Sequence, residues 1–248
     1  MLSNRWSKII KSLQIKKHRR EQGLFVIEGE KGLIELLNSN YEIKELFLTQ
    51  KFASLHSKLI NNRDHSINEE LIIKKNSFLV TNDSGIAIVN IPKETINLNQ
   101  SILVLDNIQD PGNLGTIIRT ADWYGIDTII CSENTVDMYN SKVVQSAMGS
   151  LFRTTIVYSD IGKFIEDNSK KFTFYTATLH GKNLHKIQFN DKPIAIVMGN
   201  ESKGVSQNII ELCEEEIMIP RFGGAESLNV AMATSIICDN YRRQFPNN

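Results

Sequence analysis

Cysteine is scarce in this chain of 248 residues: there are three, Cys131, Cys213 and Cys238. They are odd in number, widely spaced and set mostly inside apolar patterns. That excludes a disulfide framework and predicts reduced, buried thiols in a cytoplasmic protein. Long apolar runs are also missing. None approaches the roughly 20 residues that a membrane-spanning helix needs, so no membrane segment is expected. The opening "MLSNRWSKIIKSLQIKKHRR" is basic, but it has no apolar core or cleavage site and does not read as a secretory signal. Internal repeats and low-complexity tracts are absent. What remains, 41% hydrophobic and 23% charged residues, is the composition of a globular protein able to build cores.

The formal net charge is zero, but it is unevenly distributed. Residues 1–98 hold 15 Lys/Arg against 11 Asp/Glu, a net of +4, and residues 99–248 hold 13 against 17, a net of −4. The first twenty residues carry Arg5, Lys8, Lys11, Lys16, Lys17, Arg19 and Arg20 and no acid. Such a segment can meet phosphates, or it can be a solvated helix face. The polar stretch "NIPKETINLNQ" (90–100) separates two blocks and divides the chain into domains at 1–95 and 99–248.

In the first block, "GLFVIEG", "KELFLT" and "GIAIVNI" read as strands, and "EKGLIELLNS" and "KFASLHSKLI" as helices. The second block alternates strictly. Its strands are "SILVLD", "DTIICS", "RTTIVY", "FTFYTAT", "PIAIVMG" and "EIMIP", with helices at about 113–124, 140–148, 160–168, 205–212 and 227–243. Strands this continuously apolar indicate a mostly parallel sheet covered on both faces. The fold class is α/β.

In such sheets ligands gather at the carboxyl ends of strands. Three of those ends carry unusual loops. "DPGNLGTIIRTADWYG" turns through Gly112–Gly115 without a G-x-G-x-x-G fingerprint, so no dinucleotide site is expected. "IVMGNESKGVS" has the spacing of the two P-loop glycines in Gly199 and Gly204. However, Val205 stands where the P-loop lysine belongs and Glu201 would repel a polyphosphate, which excludes a nucleoside triphosphatase. In "IPRFGGAESLNVAMATSI", Ser227 stands as the expected N-cap of the last helix, with Asn229 inside its first turn. Ala231, Ala233 and Ser235 thin one side of that helix for close packing. "GAESLN" is not a G-x-S-x-G elbow. His180 and His185 lack the Cys or carboxylate partners of a metal site, so none is expected.

Taken together, "NLGTIIRTADWYG", "IVMGNESKGVS" and "IPRFGGAESLNVAMATSI" resemble, in order, the three motifs of the SpoU/TrmH-type RNA ribose 2′-O-methyltransferases of the SPOUT superfamily. The resemblance spans residues 101–243. The first block, with "GLFVIEGEKGLIELL" and "SGIAIVNIP", resembles the small RNA-binding domain found N-terminal in that family. There "NDSG" stands where relatives often carry Pro-Gln before the glycine.

The resemblance implies a trefoil-knotted, mostly parallel SPOUT methyltransferase domain preceded by a small α/β RNA-binding domain, and a homodimer. It implies S-adenosylmethionine held by Gly199, Ile219 and Leu228, with Thr178 as a further candidate. It also implies catalysis by Arg119 and Asn113, with Ser227 and Asn229 shaping the site and Glu201 holding a loop or the facing subunit. The implied reaction is methyl transfer to a ribose 2′-hydroxyl of structured RNA, with rRNA favoured over tRNA by "SAMGSLFR". A catalytically silent RNA-binding protein of the same fold is the alternative. Arginine is a poor base, so Arg119 is expected to stabilise the developing alkoxide and orient a phosphate. Direct proton abstraction is the other role that the family suggests.

Overall fold

The computed structural model describes residues 1–93, 96–190 and 192–246. The chain forms two compact units. One comprises Met1–Lys93 together with Tyr139–Phe152, and the other holds the remaining described residues.

The first unit opens with two helices, α1 (Asn4–Ser12) and α2 (Lys16–Gln22), followed by β1 (Leu24–Glu28), α3 (Glu30–Leu37) and β2 (Ile43–Thr49). Then come α4 (Gln50–Leu55), α5 (Ser57–Ile60), β3 (Ser66–Asn68), α6 (Glu70–Asn76) and β4 (Gly85–Asn90). Its sheet has the order β1-β4-β2-β3, with β4 antiparallel to both neighbours and β3 parallel to β2. Ile10 in the last turn of α1 and Leu13 at its end pack with Val26, Phe47, Ile73, Ile86 and Ile88. "KFASLHSKLI" is two short helices rather than one, broken at His56. The elements α6 and β3 lie where the sequence pattern shows no clear period.

Arg19 departs from the basic-arm expectation. It is buried, and its guanidinium donates to the carbonyls of Leu13 (2.7 Å) and Gln14 (2.8 Å), which closes the end of α1. Arg5, Lys8 and Lys11, by contrast, are exposed at three-residue spacing along α1, a single basic row. Burial pushes the Glu28 carboxyl above its ordinary range, against the lowering effect of hydrogen bonds from the Ser77 hydroxyl and the Phe78 N–H (3.0 Å).

The second unit contributes β5 (Ile102–Leu105), α7 (Pro111–Trp123) and β6 (Thr128–Ser132). The next element in the chain, α8 (Ser141–Ala147), groups with the first unit although it lies within 99–248. There Tyr139 packs on Phe25 with ring centroids 4.4 Å apart, and Phe152 on Tyr41 at 5.0 Å. The chain returns to the second unit with β7 (Thr155–Ser159), α9 (Ile161–Asn168), β8 (Thr173–Asn183) and β9 (Ile194–Met198), then α10 (Gln207–Ile210), β10 (Glu215–Met218) and α11 (Val230–Gln244).

The six strands lie in the order β10-β8-β9-β5-β6-β7, and every neighbouring pair is parallel. Both faces of β5 and β9 are buried, which is why those strands read as unbroken apolar runs. The strand order reverses between β5 and β9, and the loops leaving their carboxyl ends meet there. The strand expected at "FTFYTAT" continues to Asn183. Its pairing with β10 skips from Thr176 to Lys182, so residues 177–181 bow away from the ladder. Gly181 permits this: an added Cβ would lie 2.5 Å from the Glu216 carbonyl carbon.

Candidate active site

Helix α7 starts two residues before its expected beginning. Asp110 caps it by accepting from the Asn113 N–H at 2.8 Å, and Pro111 occupies the first turn, where its missing donor is harmless. The Glu201 carboxylate, from the loop after β9, lies against this helix start. It accepts from the Asp110 N–H at 3.2 Å, the Gln109 N–H at 3.5 Å and the Asn113 side-chain amide at 2.9 Å. A negative charge at a helix N-terminus also complements the helix dipole.

Asn113 passes the chain of bonds on, its Oδ1 accepting from Asn229 Nδ2 at 2.9 Å. Asn229 is the N-cap of α11, and its Oδ1 accepts from the Ala231 (3.0 Å) and Met232 (3.4 Å) N–H groups. Each amide orientation is set by its partners, because a carboxylate only accepts and helix N–H groups only donate. The expectation for this turn is therefore corrected. The helix begins at Val230 rather than near 227, and Asn229, not Ser227, is the cap. Ser227 lies in the exposed stretch 221–229, outside regular structure.

That stretch forms one wall of a cavity of about 680 Å³, within the range of small-molecule sites. Thr178, Gly199, Ile219 and Leu228 all line it, as do Glu201 and Ser227. Asn113, Asn229 and Arg119 are not among its lining residues. Met198, Ile217 and Ile219 make part of the lining apolar. Gly199 is where backbones crowd. A Cβ there would lie 2.0 Å from the Val205 nitrogen and 2.1 Å from the Gly204 carbonyl carbon, so no larger residue fits. The loop closes on itself through paired bonds between Asn200 and Gly204, of 3.0 and 2.9 Å, with Gly204 at φ +70°.

The fifth catalytic carry-over, Arg119, is exposed on α7 and makes no hydrogen bond or ion pair among the described residues. The small residues of α11 have partners within the chain: Ala231 is buried, and Ser235 shares a 3.1 Å hydrogen bond with Thr120 of α7. Ala233 lines the cavity.

Two positioning residues escaped the sequence reading. Asn200 donates to the Asn107 carbonyl at 2.8 Å and accepts from the Ser202 and Lys203 N–H groups, which ties the loop after β9 to the loop after β5. Asp106, nearly buried, accepts from the Ser206 N–H at 2.9 Å and from its hydroxyl. Asn200 lies inside the motif "IVMGNESKGVS" and Asp106 ends the strand "SILVLD"; the available signal was their place at strand ends. Neither Cys213 nor Cys238 is tuned as a reactive thiol. Burial pushes Cys238 up to about 12, and burial with the carboxylates of Glu214 and Glu216 does the same to Cys213. Among the described residues no group of three or more His, Cys, Asp or Glu could hold a metal, and no helix is long and apolar enough to cross a membrane.

The chain is similar to known proteins over almost its whole length. The model of the SpoU rRNA Methylase family matches residues 100–239, and that of the MRM3-like substrate binding domain matches residues 4–87. The 23S rRNA (guanosine(2553)-2′-O)-methyltransferase RlmP of Bacillus subtilis (strain 168) is 31% identical over 234 residues, 94% of either chain. A crystal structure of an AdoMet-bound rRNA methyltransferase from Sinorhizobium meliloti is 30% identical. It superposes with a TM-score of 0.85 over 98% of this chain and 96% of that one. The SpoU methyltransferase AviRb from Streptomyces viridochromogenes, solved with AdoMet, has a TM-score of 0.86 over 99% of both chains. At 22% identity it speaks for the fold alone.

Proposed function

The chain belongs to the SpoU rRNA Methylase family, and on that premise we propose that it transfers a methyl group from S-adenosylmethionine to a ribose 2′-hydroxyl of RNA, with rRNA as the substrate class. The observation that carries the reading is the joining of three motifs from separate strand ends. Glu201, Asn113 and Asn229 form one hydrogen-bonded line beside a cavity lined by Thr178, Gly199, Ile219 and Leu228. The line ties the loop after β9 to the starts of two helices, one of which carries Arg119.

The cavity suits the cofactor. Gly199 lets the loop after β9 fold back on itself to form the cavity wall, part of the lining is apolar, and the Glu201 and Ser227 side chains supply acceptors and a hydroxyl. Bound S-adenosylmethionine supplies a sulfonium methyl that is already a good electrophile, so the protein's own work is orientation and charge management. Arg119, unpaired among the described residues, presents its guanidinium to an RNA phosphate and to the 2′-oxygen as that oxygen loses its proton and gains charge. Asn113, Asn229 and Glu201 hold the helix that carries Arg119. Ser227 stands in the loop over the cofactor. Asp106 and Asn200 keep the loop after β9 closed.

The finer parts of the proposal follow the family. The second half of the chain, 99–248, is the catalytic domain and is trefoil-knotted, and residues 1–95 bind the RNA substrate. The protein works as a homodimer in the cytoplasm, one protomer's Arg119 serving a cofactor site completed by the other. Leu179, Phe222, Leu228 and Met232, all exposed on the second unit, support an assembly that covers them. The test is calorimetric titration with S-adenosylmethionine beside a solution mass. One cofactor bound per protomer of a dimer is expected, and no binding by a folded dimer would favour the silent RNA-binder.

A further inference from the structure

Trp123 is 84% exposed, at the end of α7. The chain's other tryptophan, Trp6, is half-buried and packs edge-on against Phe47 at 6.2 Å. An indole left in water wants a reason, because tryptophan is the side chain with most to gain from contact. Trp123 makes no ring contact, hydrogen bond or cation–π contact among the described residues.

Its backbone, however, is held on both sides. Asp122 is gripped by the Arg153 guanidinium, with Nε at 3.0 Å and a terminal nitrogen at 2.9 Å from the same carboxylate oxygen. The carbonyl of Tyr124 accepts from Arg242 Nε, and that of Gly125 from its terminal nitrogen at 3.0 Å. A rigid helix end thus presents a free aromatic face. Thr116, Arg119 and Trp123 form one exposed row at helical spacing. Arg119 and Trp123 are one turn apart, about 6 Å along the axis, a separation that neighbouring nucleotides of an unstacked strand span.

We propose that Trp123 is a stacking platform for a nucleobase next to the ribose that Arg119 serves, so that the enzyme acts on RNA whose target region is unpaired. The proposal rests on the methyltransferase reading of Arg119. Charge selects this occupant. A guanidinium and an aromatic face that are both without a partner among the described residues match a phosphate followed by a base, the combination by which proteins hold single strands.

The test uses the full chain and a single-stranded octamer of adenylate as probe. The Trp6→Phe variant leaves Trp123 as the one tryptophan, and its selectively excited emission is expected to be quenched on titration. Trp123→Ala is expected to weaken octamer binding by roughly 5- to 100-fold, and Trp123→Tyr to retain most of it. The KM for RNA should rise in Trp123→Ala while cofactor affinity and solution mass stay unchanged. If Trp6→Phe fails to fold, the quenching lost between the parent and Trp123→Ala gives the same readout. Equal octamer affinity in the parent and Trp123→Ala would overturn the proposal. So would a Trp123 emission that shifts on dilution together with a mass change in Trp123→Ala, since a second copy would then cover the indole. The parent's own cofactor titration reports on the underlying reading and does not involve Trp123, so the two failures are distinguishable.

Discussion

Asn229 donates its side-chain amide to Asn113 across 2.9 Å, and this contact joins the start of the last helix to the start of the helix that carries Arg119. Because Asn113 must turn its own amide toward the Glu201 carboxylate, only its carbonyl oxygen is left for Asn229. The three side chains therefore act as one oriented unit, and Asn229 serves it twice, as helix cap and as donor.

Those two services can be separated. Asn229→Ala removes both, and is expected to lower stability by about 1 kcal/mol and methyl transfer by roughly tenfold, the worth of one well-placed hydrogen bond. Asn229→Asp keeps the capping acceptor and loses the donor, so it should lower activity while sparing stability. Thermal unfolding beside single-turnover rates checks this; equal stability losses in the two variants would contradict it.

Gly199→Ala forces a methyl group to within 2.0 Å of the Val205 nitrogen. The loop must open to accommodate it, at an overpacking penalty of about 1–3 kcal/mol, and the wall of the cavity moves with it. Affinity for S-adenosylmethionine should fall by at least about tenfold, measured calorimetrically, whereas Gly223→Ala, where an added Cβ meets nothing within 4 Å, should have far less effect.

The basic start of the chain divides into two kinds of residue. Arg5→Gln, Lys8→Gln and Lys11→Gln are expected to leave folding intact and to flatten the dependence of RNA affinity on salt, by a slope of about 1 each where a phosphate is contacted. Arg19→Gln should instead destabilise the fold, because the buried Leu13 carbonyl and the partly buried Gln14 carbonyl lose their charged donor. A binding series in salt and a melting curve for each variant distinguish the two outcomes.

Glu28 predicts a pH dependence. Its carboxyl is raised in the folded state, so it is harder to ionise there than in the unfolded chain. Its contribution is complete at low pH, below the ordinary carboxylate value, and is lost as pH rises through the raised folded value. Relative to Glu28→Gln, the natural chain should therefore lose stability as pH is raised from the ordinary carboxylate value through the raised folded one. Parallel melting curves for the two proteins across that range would contradict the assignment.

Much of the catalytic unit could be read from the sequence, for a physical reason. Strands buried on both faces have no polar positions to blur them, so β5, β6 and β9 stand within a residue or two of their apolar runs. The extension of β8 through "LHGKN" was not legible, because there the chain leaves the core and polar residues continue the strand. The start of α11 was misread because Leu228 looks like the first apolar residue of the helix. It is half exposed and faces the cavity instead, so the cap shifts from Ser227 to Asn229. Tertiary partners were the least legible. Nothing local in "YNSKVVQSAMGSLF" says that it packs with Phe25 and Tyr41, and nothing in a run of basic residues marks Arg19 as the buried one.

The central claim is tested most directly by incubating the protein with methyl-labelled S-adenosylmethionine and ribosomal RNA lacking its own modifications, then digesting the RNA to nucleosides and locating the label. The account predicts label in a 2′-O-methylated nucleoside, and a rate reduced by roughly 10²- to 10³-fold in Arg119→Ala. Label on a base, or an Arg119→Ala rate equal to that of the natural chain, would contradict it.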